Sequence, residues 1–499
     1  MMVELWGENM NIIEKYVEEF NKYDREIYFN GIKNKDVTAW MKEEIPVFSC
    51  PEKDIEKIYY FRWWTFRKHL KETKDGYMIS EFLPDVPWAG RHNVINAPFG
   101  HHLAEGRWLK NAKTYLKDYI DLMLSDAEDV KSHQYSTWMS YAILEYCKVV
   151  GMPEQPEKLL EKMCEYHKIW EEKHGVENGM FWSLDLPDAM EFSVSGTGED
   201  MKPKKGIRPT LNAYMCADRY AIAEFAELTG NAEVAETYRK KANELRDLIN
   251  ENLWADGFYR AFHYEGEESR QAFLQDGSKI AREQIGYIPW MFCIPPQGRE
   301  KVFELLLDDK VFYAPQGLTT ADQSHSRFLY DVDWECLWNG YVWPYATSQT
   351  LVALRNVIHY YEGGNNYKDM YYTLLKQYAA SHTIEEDEKI LPWIDEMKHP
   401  YKNEWTTRKW LEDRNYPPEK GPVERGKDYN HSTFCDLVIS GIVGVNYEGE
   451  ELTVSPIIPE DWNYFELSNL WFRGKCYTIR YDKTGEKYHE GTGIIIKEG

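Results

Sequence analysis

Between residues 210 and 253 the apolar side chains fall on two stripes, each at helical spacing, with a single turn between them. Leu211, Met215, Ile222 and Phe225 mark the first stripe, and Val234, Tyr238, Ala242, Leu245 and Ile249 the second. Thr229, Gly230 and Asn231 separate them, a combination that stops one helix and caps the next. Helices joined this briefly must fold back on one another as an αα-hairpin. The same period returns at Leu109, Ala112, Tyr115, Leu116, Tyr119, Ile120 and Met123, over 135–150, and at Leu159, Met163, Tyr166 and Trp170. Further helices are expected at 299–307, 345–361 and 367–380. A chain of 499 residues has ample material for a core. Repeated hairpins separated by long aromatic, Gly/Pro-rich connections predict a mainly α ring with function on the connections.

The ends read differently. Residues 1–58 mix charged, amphipathic and turn-like pieces and form an expected N-terminal cap; 59–444 form the helical domain. ELTVSPIIP, KCYTIRYD and GTGIIIKEG are rich in β-branched residues and punctuated by Pro and Gly, so 445–499 should be a small antiparallel β module. The stretch YYFRWWTFRKHL at 59–70 packs Arg62, Trp63, Trp64, Arg67, Lys68 and His69 into successive helical turns, so part of that helix is expected to face a wet cavity. Residues 81–108, broken by Pro84, Pro87 and Pro98, should be a long functional loop.

A net charge of −24 opposes nucleic acid and anionic membranes as partners. No apolar run is long enough to span a bilayer, and the acidic N-terminus lacks the features of a secretory signal. Eight scattered cysteines without ligand spacing read as reduced thiols, so a cytoplasmic setting, no metal and no cofactor are expected. Adjacent His101 and His102 point apart on a helix and lack a third ligand. With His133 and His431 they read as core or sugar-contacting histidines.

Three connections carry chemistry. In DVDWECLWNGYVWPYATSQTLVAL, at 331–354, Asp331, Asp333, Glu335 and Asn339 bracket Trp334, Trp338 and Trp343. Indole faces stack on the C–H faces of a pyranose while carboxylates and amides fix its hydroxyls. At 183–198, Asp185, Asp188 and Glu191 lie among apolar residues that desolvate a carboxylic acid and keep it protonated. At 390–405, Asp395 and Glu396 follow Trp393. Carboxyl groups from distant parts of a chain are what glycoside hydrolysis requires.

These stretches, in this order, resemble the mannosylglycerate-hydrolase-like glycoside hydrolases, related to family 63 glucosidases and trehalases. WNGYVWPYATSQTL at 338–351 resembles the family segment that lines its sugar subsite. WIDEMKHPYKNEW at 393–405 is similar to the segment carrying the general base, which falls on Glu396; Asn403 stands where the family often has Gly. DAMEFS at 188–193 aligns its acid with Glu191, where the family has Asp, and Asp188 is the second candidate. FYAPQGLTTADQ at 312–323 is similar to a loop that closes the barrel mouth. The resemblance implies an (α/α)6 six-hairpin barrel with a small C-terminal β module, and inversion at the anomeric carbon. It implies a carbohydrate substrate, a small oligosaccharide or glycoside. Asp333, Trp338, Asn339 and Trp343 are the expected subsite walls, and Arg62, Trp63, His101 and Gln134 further substrate contacts. A phosphorylase or epimerase on the same barrel, or a non-catalytic glycan-binding protein, are the alternatives, and a homo-oligomer is admitted.

Overall fold

The computed structural model describes residues 2–28, 31–198, 201–266, 282–386, 388–417 and 421–499, with side chains from Ile12 onward. From residue 53 the helices alternate between two environments. Phe99–Gly106, Met139–Val150, Pro209–Leu228, Ile288–Met291, Pro344–Tyr360 and the π-helical Leu437–Ile442 are buried nearly all round. Each follows an outer helix: Lys53–His69, Ala112–Met123, Pro156–His174, Ala232–Asn252, the 3₁₀ turn Glu300–Leu307 and Lys368–Ser381. Helices buried on every side must lack a polar face. Pro209–Leu228 meets that with Ala213, Ala217, Ala221, Ala223 and Ala226, whose small side chains also let neighbours approach.

The inner helices pack in sequence against one another. Glu105 closes the ring: its carboxylate accepts from the backbone N–H groups of Phe434, Cys435 and Asp436, which start the last inner helix. Arg107, Trp108 and Arg355 then converge on Asp436 at 2.6, 2.9 and 3.2 Å. These pairs, counted among the described residues, make an (α/α)6 barrel. Proline marks the starts: Pro209 and Pro344 open their helices, Pro289 stands second in its helix and Pro98 directly precedes Phe99. This corrects the reading of 81–108 as unbroken loop, because Pro98 starts a helix there instead of interrupting one.

The hairpin over 210–253 forms as Pro209–Leu228 and Ala232–Asn252, with Gly230 at φ +75° and the Asn231 side chain accepting from Val234 N–H. The aromatic, cationic helix Lys53–His69 differs from expectation. It is covered by Met2–Tyr23 and Val37–Glu44, and from Ile58 onward it is buried, its charges Arg62, Arg67 and Lys68 included. Lys68 bonds Asp24 and Asp428, and Arg62 donates to the Ser432 carbonyl at 2.7 Å.

The C-terminal sheet is antiparallel and runs Val47–Ser49, Tyr464–Phe472, Lys475–Asp482, Gly493–Glu498. Its first strand comes from the expected N-terminal cap, and the 58/59 boundary falls inside Lys53–His69. No described helix is long and apolar enough to cross a membrane.

Candidate active site

Six connections lead from an outer helix into an inner one. Five of them contribute to one cleft of about 240 Å³, through Glu81, Trp88 and Ala97, Tyr135, Leu186 to Glu191, Trp334 to Tyr345, and Glu396 to His431. A wider opening of about 470 Å³ lies where the inner helices end, among Tyr141, Glu145, Arg355 and Glu448. There the charges pair internally, Lys148 with Glu448 and Arg355 with Asp436, so that opening is lined by neutralised ion pairs.

The tryptophan stretch joins the two acidic connections. Trp338 N–H donates to the Glu191 carbonyl at 2.9 Å, and Val342 and Lys398 exchange backbone hydrogen bonds of 2.9 Å. Trp338 and Trp343 stack on each other with centroids 4.5 Å apart and planes 12° from parallel. Each indole therefore spends one face on the other, and both border the cleft. Backbone pairing on both sides thus fixes where Glu191 and Glu396 stand relative to this wall.

Glu191 sits in a tight turn. Ala189 and Phe192 take φ +55° and +57°, a region costly for side-chain-bearing residues. The Asp185 carboxylate holds the turn by accepting from Leu186 and Phe192 N–H at 2.8 and 2.9 Å. The only polar side chain bonded to the Glu191 carboxyl among the described residues is the Cys336 thiol, which donates to Oε2 at 3.0 Å. Burial pushes the Glu191 pKa up to about 7, with the thiol opposing and the charges of Asp185 and Glu396 reinforcing.

Glu396 is placed differently. Arg425 Nε donates to its Oε1 at 3.0 Å, and Asp395, itself bonded to Arg408, accepts from Glu396 N–H. The turn that brings Arg425 in needs glycine: a Cβ on Gly426 would lie 1.8 Å from an Asp395 oxygen. Burial again lifts this carboxyl to about 7, with the Arg425 guanidinium opposing. A third acid, Glu81, faces the same space; burial raises it to about 8, although the Tyr429 hydroxyl donates to it. With Glu335, the cleft thus holds buried carboxyls from four connections, of which Glu396 and Glu335 share the Arg425 guanidinium.

Residues 91–432 match the family model described as mannosylglycerate hydrolase MGH1-like glycoside hydrolase domain. The chain belongs to this family. Residues 446–497 match a second model, described as glycosyl hydrolase family 65, C-terminal domain. Among solved structures, a chain named sialidase is 32% identical with a TM-score of 0.85, covering 97% of this chain. This chain spans only 42% of that one. A GH63 mannosylglycerate hydrolase from Thermus thermophilus in complex with glucose is 12% identical with TM-score 0.51, over 76% of this chain and 98% of that one. A GH78 family rhamnosidase of Bacillus sp. GL1 is 13% identical with TM-score 0.52, over 88% of this chain and 40% of that one. The last two likenesses concern the fold.

Several residues expected at the site lie outside this cleft. Asp188 is fully buried outside the cleft, where its carboxylate takes Arg208 Nε at 2.6 Å, Ser136 at 2.7 Å, Ser183 at 3.0 Å and the Thr210 hydroxyl. Such a saturated ion pair holds the connection together and is turned away from the cleft. Asp333 faces solvent, with 76% of its side chain exposed, and pairs with Arg414 and Trp410. Asn339 is buried and donates to the Tyr330 carbonyl at 2.8 Å, bracing the loop from behind. Trp63 is core, packed edge-on against Tyr59 and Phe66, and Arg62 binds His382 and Ser432. Both lie on an outer helix, which is why they miss the cleft. His101 stands behind Tyr345 and Trp138 on the barrel axis, and Gln134 donates to the hydroxyl of the lining Tyr135. Of the other histidines, His133 stacks on Tyr166 away from the cleft, and His431 lines it.

Sequence reasoning missed Glu81, Arg425 and Tyr429. Glu81 opens the proline-rich connection already marked as functional. Residues 421–431 carry no periodicity and no motif, so nothing in the sequence alone ties them to Glu396.

Proposed function

We propose that this protein is an inverting glycoside hydrolase that acts on small glycosides, with Glu191 as general acid and Glu396 as general base. The observation carrying this reading is the electrostatic asymmetry of two buried carboxyls in one cleft. Burial lifts both carboxyls to about 7, but at Glu396 a guanidinium at 3.0 Å favours the ionised form, whereas at Glu191 a neutral thiol is the side chain that opposes burial. Glu191 donates its proton to the glycosidic oxygen as the bond to the anomeric carbon breaks. Glu396 takes a proton from the water that attacks the opposite face. Each product then leaves with a hydroxyl, and the two carboxyls exchange protonation states until solvent resets them.

The size of the cleft supports a single ring. About 240 Å³ is below the roughly 300–1,000 Å³ of sites that enclose drug-sized ligands. Trp334, 42% exposed at the rim and 6.2 Å from Phe192, offers an apolar surface for the leaving group. Asp188 serves structure in this reading, and Trp338 and Trp343 form the wall beside the sugar.

The test is kinetic and stereochemical. Glu191→Gln and Glu396→Gln should each lower kcat on a hydrolysed aryl glycoside by about 10²–10⁴-fold. Proton NMR of the first product formed should show the anomer opposite to that of the substrate. Retention of configuration, or near-wild-type turnover by either variant, defeats the assignment.

A further inference from the structure

The cleft contains more acid than a two-carboxyl mechanism uses. Glu81, Glu191, Glu335 and Glu396 all line it, against one guanidinium, Arg425. That guanidinium is already bonded to Glu396 and lies 3.7 Å from Glu335. Glu81 is 6% exposed and has no cation bonded to it; its side-chain partner among the described residues is the Tyr429 hydroxyl, which donates to Oε1. Beside it, His431 is 1% exposed, tilted 34° against the Tyr429 ring with centroids 3.6 Å apart, and borders the same cleft. Both ring nitrogens of His431 lack a hydrogen-bond partner among the described residues. Buried polar atoms left unpaired cost stability unless a ligand or water completes them, so this edge of the cleft is shaped for one.

We propose that Glu81 and His431 form the element that reads the glycone, binding hydroxyls of an uncharged sugar and refusing sugars that carry a carboxylate. This deepens the hydrolase reading and rests on it only in taking the cleft as a sugar site. A carboxylic acid at Glu81 accepts the Tyr429 hydroxyl on one oxygen and offers its own O–H to a sugar oxygen. A neutral imidazole at His431 adds one donor and one acceptor, the pattern that a hydroxyl pair completes. The groups acting on Glu81 agree with this protonation state: burial, then Glu396 and Glu191, raise it to about 8, against the Tyr429 hydrogen bond. The other titratable groups that feel it, Tyr119, Tyr135 and Tyr345, are neutral phenols. His431 is held well below its ordinary pKa by burial and by His101 and Arg62. A uronate or sialate would bring a further anion among four carboxyls whose one lining guanidinium is already bonded to Glu396.

Sugar binding without hydrolysis isolates the proposal. Calorimetric titration of the full chain with D-mannose, L-rhamnose, D-glucose, D-galactose, D-glucuronate, D-galacturonate and N-acetylneuraminate, at pH 6.5 and 9.5, should show at least one neutral sugar binding at least tenfold tighter than every anion. Its Kd should rise at least tenfold from pH 6.5 to 9.5, as Glu81 loses its proton. Glu81→Gln, which keeps a donor and an acceptor but cannot ionise, should lose most of that rise, keeping only the part due to Glu191 and Glu396, which titrate near 7 in the same cleft. Glu81→Ala should bind at least tenfold more weakly at both pH values with an unchanged melting temperature. The proposal fails if an anionic sugar binds best, if no neutral sugar binds, or if wild type shows no pH dependence. It fails equally if Glu81→Gln follows the wild-type curve. Failure of hydrolysis with this binding pattern intact counts against the catalytic assignment alone.

Discussion

Replacing Arg425 with Met removes the only cation bonded to Glu396 among the described residues while keeping an apolar stem against Trp88. Both partners are buried, Arg425 at 2% and Glu396 at 3% exposure, so the interaction is little screened. A hydrogen bond to a charged group contributes about 1.5–3 kcal/mol. At about 1.36 kcal/mol per pKa unit this corresponds to a shift of about 1–2 units. Arg425 lowers the Glu396 pKa, so its removal moves that carboxyl upward from about 7 to about 8–9. A general base works only when ionised. At pH 7 the ionised fraction then falls from about one half to between about a tenth and a hundredth, and kcat/KM should drop about 5- to 50-fold. Raising the pH restores only part of the loss, because the acid Glu191 gives up its proton over the same range. The pH profile of kcat/KM from 4.5 to 9.5 should therefore show an acidic limb displaced upward and a lower maximum. A folded Arg425→Met enzyme whose acidic limb stays within about 0.3 units of wild type would refute the reasoning, since Glu396 would then not be the titrating base.

Three further substitutions separate structural from chemical roles. Asp188→Ala leaves Arg208 buried without its carboxylate and should lower stability by about 3–5 kcal/mol, read from urea unfolding. Asp333→Ala should leave kcat/KM within about twofold of wild type and change stability by no more than about 1 kcal/mol, since its pair with Arg414 is solvent-exposed. Cys336→Ala removes the thiol that favours ionised Glu191, so the Glu191 pKa should rise and the basic limb of kcat/KM should move to higher pH. A basic limb moved downward or left in place would contradict Glu191 as the proton donor.

The legible part of the site followed from local pattern. The WNGYVWPY segment, Glu191 and Glu396 each sit in a connection dense in aromatic and acidic residues, and all three border the cleft. What misled was treating proximity in sequence as proximity in space. Asp333 is five residues from Trp338 yet points to solvent, and Asp188 is three from Glu191 yet lies within a saturated ion pair. In irregular connections no period dictates which side a residue faces, so only the backbone's long-range partners decide. Arg62 and Trp63 misled in another way: a stretch dense in cations and aromatics read as half-wet is buried from Ile58 onward once two N-terminal helices cover it.

The sequence by itself determined the longer helices and the hairpin over 210–253, because apolar periodicity and Pro/Gly punctuation are local; the short inner helices Phe99–Gly106, Ile288–Met291 and Leu437–Ile442 carry too few turns to show a period. It also pointed to the aromatic connections, and residues of five of them line the cleft. Only the tertiary structure decided which charges meet. The Arg425–Glu396 pair spans 29 residues, and the pairing of Glu81 with Tyr429 spans 348. It also drew a strand from residues 47–49 into the C-terminal sheet. Closing the barrel brings the first and last connections side by side, and their desolvation against one another moves the carboxyl groups toward neutral pH. A property that arises from burial by distant segments has no signature in any one of them.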